Sequence, residues 1–144
     1  MSLRFFNVYG PRQDPDSPYA AVIPIFLRCL SKGERMPVYG DGGQTRDFTY
    51  VADVVEGVIR AGRAAGASGR VYNLAGGRPA SVLDLGKTLA RLLGRAPDFE
   101  FRPERPGDIR DSFASVEAAR RDLDFEAAVT LEEGLRRTVE ASHR

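Results

Sequence analysis

The residues of this sequence best suited to chemistry are polar and basic side chains in predicted loops. Arg46 follows a glycine-rich turn, and Arg105 and Asp108 belong to the segment Arg-Pro-Gly-Asp. A guanidinium presents a planar fork of donors that matches a phosphate, and a Pro/Gly loop limits the entropy that the side chain loses on binding. Two such arginines are suited to a diphosphate, and a neighbouring aspartate to sugar hydroxyls. By itself this pattern is weak evidence, because loop arginines are common and most of them are solvated surface side chains.

The sequence contains few other residues or motifs that could be catalytic. His143 is predicted to be solvated, and Cys29 lies in an apolar stretch predicted to be core. The Gly-Asp-Gly-Gly run at 40–43 lacks the G-x-G-x-x-G spacing of a phosphate loop, and neither lysine has the Walker context. No Gly-x-Ser-x-Gly nucleophile elbow is present. The sequence therefore predicts no catalytic residue and no metal site.

Length and charge limit the class of protein. The chain has 144 residues, of which 42% are hydrophobic and 28% charged, as is typical of one globular domain. Its 21 basic and 20 acidic side chains give a net charge of +1, which argues against a nucleic-acid-binding protein. No apolar run approaches the roughly 20 residues of a membrane span, and a single cysteine excludes an internal disulfide. We therefore expect a cytoplasmic protein that binds neither nucleic acid nor membrane.

Hydrophobic periodicity predicts the elements that position these side chains. Short strands are expected at residues 3–8, 36–39, 47–51, 71–75 and 99–101. Helices are expected at residues 19–30, 51–65, 82–94, 115–123 and from 131 onwards. Ser81 and Thr130 have the spacing of capping-box residues, Asp53 suits the N-terminus of its helix, and Gly33 is a plausible helix stop. The alternation indicates an α/β fold with short strands and about five helices.

Five ordered motifs resemble one known family. They are Leu-Arg-Phe-Phe-Asn-Val-Tyr-Gly-Pro-Arg-Gln at 3–13, Tyr-Ala-Ala-Val-Ile-Pro at 19–24, Tyr-Gly-Asp-Gly-Gly-Gln-Thr-Arg-Asp-Phe-Thr-Tyr-Val-Ala-Asp at 39–53, Val-Tyr-Asn-Leu-Ala at 71–75 and Arg-Pro-Gly-Asp at 105–108. Together they resemble the extended short-chain dehydrogenase/reductase family, and within it the NAD-dependent nucleotide-sugar epimerases. The resemblance covers essentially the whole chain and is similar in detail to the UDP-sugar 4-epimerases.

The resemblance implies a diphosphate and ribose site. Asn7 matches a residue near the diphosphate of the substrate, Arg46 and Arg105 match the arginines on that diphosphate, and Asp108 matches the acid near the ribose. The resemblance therefore makes a UDP-sugar the expected partner of this chain.

It also implies a base pocket and one cofactor contact. The backbone around Ala21 and Val22 and around Val38 and Tyr39 would line the nucleotide-base pocket. Phe5 matches an aromatic strand position beside the nicotinamide of NAD, although an aromatic residue in a buried strand needs no cofactor to explain it.

The family's remaining machinery is absent from the sequence. No Gly-rich turn that seats NAD, no Tyr-x-x-x-Lys pair and no assisting Ser or Thr is found. The chain thus resembles the C-terminal portion only, as an excised fragment or a partial gene would. We expect residues 1–144 to form a nucleotide-sugar-binding domain, with strands 3–8 and 71–75 belonging to the sheet of an N-terminal NAD-binding domain. Alone, the chain is expected to be inactive and to bind little or no NAD.

Several alternatives stay open on the sequence. The same scaffold serves NDP-sugar 4,6-dehydratases and UDP-glucuronate decarboxylases, and the residues that would separate these reactions lie in the missing half. A non-catalytic binding module is a further possibility. Strands that lack their sheet neighbours expose edges that can pair anew, so self-association through strands 3–8 and 71–75 is expected.

Overall fold

Five helices and nine short strands make up the part of the chain that the computed structural model describes, residues 1–14 and 21–142. The helices are α1 Val22–Lys32, α2 Val51–Arg63, α3 Val82–Leu92, α4 Glu117–Leu123 and α5 Leu131–Ser142. The strands are β1 Ser2–Phe5, β2 Val8–Tyr9, β3 Met36–Tyr39, β4 Thr45–Arg46, β5 Thr49–Tyr50, β6 Val71–Leu74, β7 Ala80–Ser81, β8 Phe99–Arg102 and β9 Asp111–Ser112. The α/β class expected from the sequence is confirmed.

The strands form four small sheets. Three are parallel pairs, β1 with β6, β2 with β5 and β3 with β8. In the fourth sheet, β4 lies between antiparallel β7 and parallel β9. Parallel pairing requires long crossover connections, and α2 lies in the crossover from β1 to β6 while α3 lies in that from β3 to β8.

The strand predicted at 3–8 is in fact two strands. Asn7 takes a left-handed backbone conformation, with φ 36°, which asparagine adopts more readily than most residues. The turn redirects the chain, so that β1 pairs with β6 whereas β2 pairs with β5. The Asn7 amide fixes it by donating from Nδ2 to the main-chain oxygen of Asp47 at 3.3 Å. The prediction of an uninterrupted, buried strand was wrong.

β1 is more exposed than a strand of a parallel sheet usually is. Phe5 is 52% exposed, and three of the four residues of β1 are exposed. Within the described ranges, β1 has a pairing partner on one edge only. Parallel sheets are normally covered on both faces, and the exposure here lies mainly in β1, since Tyr72 and Leu74 of β6 are buried.

The buried side chains fall into two clusters. The larger joins α1, α3 and α5 to β3 and includes Phe26, Met36 and Leu85. The smaller joins α2 and α4 to β6 and includes Leu74 and Phe125. The candidate site described below lies against the larger cluster.

Gly33, Ser81 and Thr130 mark helix termini as predicted, whereas α2 and α3 each end two residues before their predicted ends and α4 begins at Glu117 rather than at residue 115. Gly33 ends α1 in the left-handed conformation, with φ 70°. Ser81 Oγ accepts from the main-chain N–H of Asp84 at 3.0 Å, and Thr130 Oγ1 accepts from that of Glu133 at 3.3 Å. The predicted start of α1 near residue 19, like His143, lies outside the described residues, and the described helix begins at Val22.

Asp53 does more than favour the N-terminus of α2. Its buried carboxylate accepts from the main-chain N–H groups of Ala128 and Val129, at 3.2 and 3.1 Å. These bonds attach the segment before α5 to α2.

Over the described residues, no helix is both long enough and apolar enough to cross a membrane.

Candidate functional site

A cleft of about 440 Å³ opens between the N-terminal end of α1, strand β3 and the loop that follows β8. Its floor is apolar and includes Phe26 and Phe48, and its rim is basic. The predicted site residues that line it are Asn7, Ala21, Val22, Tyr39, Arg46, Arg105 and Asp108. Residues far apart in the sequence thus converge on one concave surface, which is the usual form of a small-molecule site.

Arg46 is held at the inner side of the cleft by strand β4. Its Nη1 donates to the main-chain oxygens of Thr45 and Arg110, at 2.8 and 3.3 Å, and its Nη2 lies 2.7 Å from Asp108 Oδ1. The Arg46 side chain is only 17% exposed. Because its position is fixed by backbone acceptors, little further entropy is lost when it pairs with an anion.

Arg105 and Asp108 are the first and last residues of one tight turn. The main-chain N–H of Asp108 donates to the Arg105 oxygen at 3.1 Å, and Gly107, with φ 81°, has the left-handed conformation that the third position of a type II turn requires. Pro106 suits the second position of such a turn. The Pro-Gly sequence therefore explains why both charged side chains point to one site.

The ring of Tyr39 packs against the guanidinium of Arg105. The guanidinium carbon of Arg105 lies 3.7 Å from the centre of the Tyr39 ring, a cation–π arrangement. Polar contacts of the phenol with Arg105, and then with Arg102, lower the pKa of Tyr39. The two arginines thus favour the ionised form of the phenol, and the ring packs against the guanidinium of Arg105.

Two predicted site residues lie away from the cleft surface. Val38 is 1% exposed and belongs to the larger core cluster, because successive side chains of a strand point to opposite faces; its neighbours Pro37 and Tyr39 face the cleft. Phe5 lies exposed at the end of β1 and is not among the residues that line the cleft.

The structure adds cleft residues that the sequence reasoning missed. Arg28, from α1, and Arg102, from the end of β8, also line the cleft, as do Gln44 and Val82. The charged lining residues are then four arginines and one carboxylate, Asp108. No sequence signal separates Arg28 and Arg102 from other surface arginines, because only the tertiary fold brings α1 and β8 to this cleft.

Asp47, next to Arg46, joins the cleft to the turn after β6. Its fully buried carboxylate accepts from the main-chain N–H of Gly77 at 3.1 Å through Oδ2, and its main-chain oxygen accepts from Asn7. Within the described part of the chain, Asp47 Oδ1 has no hydrogen-bond partner. Asp47 therefore fixes the backbone on which Arg46 and Asn7 are carried.

The sequence profile of the NAD dependent epimerase/dehydratase family matches residues 1–75. The chain belongs to this family. Among its curated relatives, the UDP-glucose 4-epimerase of Mycolicibacterium smegmatis is 41% identical over 134 residues, covering 93% of this chain and 42% of that protein. The dTDP-glucose 4,6-dehydratase of Streptomyces griseus is 38% identical over 142 residues, covering 98% of this chain and 42% of that protein.

Solved structures of family members have the same fold over this region. The UDP-glucose 4-epimerase of Thermotoga maritima, determined with UDP-glucose, superposes with a TM-score of 0.91 at 39% identity, covering 98% of this chain and 45% of that one. The UDP-N-acetylglucosamine 4-epimerase of Methanobrevibacter ruminantium gives 0.91 at 38% identity, with the same coverage. The chain thus spans less than half the length of these relatives.

The Gly-rich turn of the described residues does not have the arrangement of a dinucleotide-binding turn. The Gly76–Gly77 turn that follows β6 leads to strand β7 rather than directly into a helix, whereas a dinucleotide-binding turn opens a helix whose N-terminus receives the pyrophosphate. The one residue matched to the nicotinamide, Phe5, lies apart from the cleft. The basic cleft is therefore the candidate functional site of the described chain.

Proposed function

We propose that this chain is the nucleotide-sugar-binding part of a UDP-sugar 4-epimerase, and that its cleft holds the diphosphate and nucleoside. The observation that carries the proposal is the convergence of Arg46 and Arg105 on one cleft beside Asp108. Two guanidinium groups, that of Arg46 held by main-chain oxygens and that of Arg105 on the face of Tyr39, match the two phosphates of a nucleoside diphosphate. The crystal structure of the Thermotoga maritima epimerase with UDP-glucose supports the choice of ligand.

The cleft contributes anchoring rather than chemistry. Epimerisation requires the hexose to present both faces in turn, so a firm hold on the nucleotide with no comparable hold on the sugar ring suits the reaction. The sequence contains no Tyr-x-x-x-Lys pair. The chain alone is therefore proposed to bind substrate without turning it over, while NAD is bound by the remainder of the intact enzyme.

Residues 1–144 are accordingly proposed to form a substrate domain whose β1 and β6 continue a larger sheet. The support is the exposure of β1 and its single paired edge in the described structure. A two-stranded sheet is marginal on its own, and the family relatives are more than twice as long as the part that this chain covers.

Calorimetric titration with UDP and UDP-glucose tests the proposal. We expect both to bind, and Arg46→Ala to weaken binding by about ten- to a hundredfold, since a charge-assisted hydrogen bond contributes about 1.5–3 kcal/mol. Arg35→Ala is the matched control, because Arg35 also pairs with an aspartate, Asp98 at 3.2 Å, but does not line the cleft. A folded protein that binds neither ligand would instead indicate a non-catalytic module.

A dTDP-sugar 4,6-dehydratase is the second candidate, because the Streptomyces griseus relative is 38% identical over nearly the whole chain. The two candidates differ in the base that the cleft accepts. Parallel titrations with UDP-glucose and dTDP-glucose separate them: tighter binding of UDP-glucose supports the epimerase, and tighter binding of dTDP-glucose the dehydratase. Neither result depends on turnover, which the chain alone is not expected to show.

A further inference from the structure

We infer that the ion pair between Asp41 and Arg110 keeps Arg46 and Arg105 at a spacing that suits a diphosphate. The inference rests on the proposed function and deepens it. Neither Asp41 nor Arg110 is among the residues that line the cleft. Both are therefore positioning residues, which act on a bound ligand only through the two cleft arginines.

The first support is the geometry of the ion pair. Arg110 donates from Nη1 to Asp41 Oδ1 at 2.7 Å and from Nη2 to Asp41 Oδ2 at 2.9 Å. Asp41 Oδ1 also accepts from the main-chain N–H of Gly43 at 2.8 Å. The Arg110 guanidinium, and then this N–H, lower the pKa of Asp41 to about 2, so the carboxylate is ionised at neutral pH. Exposed ion pairs usually contribute little, but bidentate arginine–carboxylate pairs are the exception.

The second support is the place of the pair between the two segments of chain that carry the cleft arginines. The first segment begins at Tyr39, contains Asp41 and ends at Arg46, and the second runs from Arg105 to Arg110. The Arg105 guanidinium lies 3.7 Å from the centre of the Tyr39 ring, and Arg46 Nη1 donates to the main-chain oxygen of Arg110 at 3.3 Å. The Asp41–Arg110 pair joins the same two segments and, unlike these contacts, uses no side chain that lines the cleft.

The third support is that core packing holds the first segment but not the second. Residues 101–111 are all exposed, and no atom lies within 4 Å of a Cβ built on Gly107. In the turn that carries Asp41, by contrast, a Cβ on Gly42 would lie 2.5 Å from Leu83 Cγ and 2.8 Å from Val38 Cγ1. The ion pair therefore attaches an exposed loop, which carries Arg105, to a tightly packed turn. A protein whose binding-competent state is only partly populated shows an affinity reduced by that fraction, so this attachment favours binding.

Calorimetric titration of the whole chain and of Asp41→Asn with UDP and with UMP tests the inference. The substitution removes a negative charge near a basic cleft, so charge alone would tighten anion binding, whereas loss of position weakens it. We expect Asp41→Asn to bind UDP about three- to tenfold more weakly. The affinity for UMP should change by less than about twofold, because a single phosphate does not depend on the spacing of two arginines.

A second variant keeps the charge and removes the fork. Arg110→Lys should also weaken UDP binding, because an ammonium group cannot pair bidentately with Asp41. The double variant Asp41→Asn/Arg110→Lys should bind UDP no more weakly than Asp41→Asn alone, because two residues that act only as a pair are not additive.

The matched control is Asp98→Asn. Asp98 also pairs with an arginine, Arg35 at 3.2 Å, away from the cleft, so the same change of charge should alter either affinity by less than about twofold. If Asp41→Asn leaves UDP binding unchanged or tighter, or weakens UDP and UMP equally, the positioning role is refuted, while Arg46-dependent UDP binding leaves the proposed function standing. If the wild-type chain binds neither UDP nor UMP, both proposals fail.

Discussion

Gly134, in α5, lies against the tyrosine that forms part of the cleft wall, and we expect Gly134→Ala to destabilise the fold. A Cβ at this position would overlap the hydroxyl oxygen of Tyr9 and lie 2.8 Å from its Cζ and 3.0 Å from Cδ2 of Tyr50, whereas nonbonded carbon atoms settle at about 3.5 Å. Tyr9 cannot swing aside, because it is 2% exposed and donates through its hydroxyl to the Leu131 oxygen at 3.2 Å.

Two opposing effects set the magnitude. Alanine in place of glycine inside a helix stabilises it by about 1 kcal/mol. Overpacking a core costs about 1–3 kcal/mol, and loss of the Tyr9–Leu131 hydrogen bond costs about 0.5–1.5 kcal/mol more. The net destabilisation is about 0.5–3.5 kcal/mol, which lowers Tm by about 2–10 °C in a domain of this size.

Thermal unfolding followed by circular dichroism measures this difference, with Gly62→Ala as the matched control. Gly62 lies on the exposed face of α2 and has no atom within 4 Å of a Cβ built there. The same substitution should therefore raise the free energy of unfolding by up to about 1 kcal/mol. A Gly134→Ala protein with an unchanged or higher Tm would refute the packing argument.

Three further results are expected. Arg105→Ala should raise the pKa of Tyr39, because the larger of the two arginine contacts that lower it is lost while that of Arg102 remains; phenolate absorbance, assigned with Tyr39→Phe, follows this. Arg136 and Arg137 hold the pKa of Glu133 at about 2, below its ordinary 4.5. Their ion pairs with Glu133 therefore stabilise the fold above pH 4.5, and this stabilisation is lost as the pH falls towards 2. In Glu133→Gln, Tm should depend less on pH across that interval. Light scattering should detect self-association through the unpaired edge of β1, and a monomer at every concentration would contradict it.

The long helices could be predicted from the sequence, and the shortest strands could not. α2 and α3 have apolar residues at a 3.6-residue period over three turns, which is a strong signal. β4, β7 and β9, like β2 and β5, have two residues each. β2 and β5 overlap longer segments predicted as strands, whereas two residues alone cannot show an alternation. β4, β7 and β9 form because β4 pairs with segments from distant parts of the chain, and this pairing depends on the tertiary fold.

Some residues of the candidate site could be predicted from the sequence, and others could not. Arg46, Arg105 and Asp108 could be found because loop chemistry and family motifs mark them, and the structure brings them to one cleft. The pairing of Arg46 with Asp108 could not be foreseen, since these residues are 62 positions apart and no sequence pattern indicates that they meet. Arg28 could not be found either, because it lies on a helix whose orientation toward the cleft is set only by packing.

Asn7 connects the two halves of this molecule's architecture. Before Asn7, β1 pairs with β6, and its other edge has no partner within the described residues. After Asn7, β2 forms part of the wall of the cleft. The left-handed turn at Asn7 is the covalent link between them, and its amide bonds the strand of Arg46 through the oxygen of Asp47. The edge of β1 and the candidate cleft are therefore only a few residues apart along the chain. Asn7→Gly would keep the turn but lose the amide donor to the Asp47 oxygen. The backbone would still bend, but it would be held less firmly against the segment that carries Arg46.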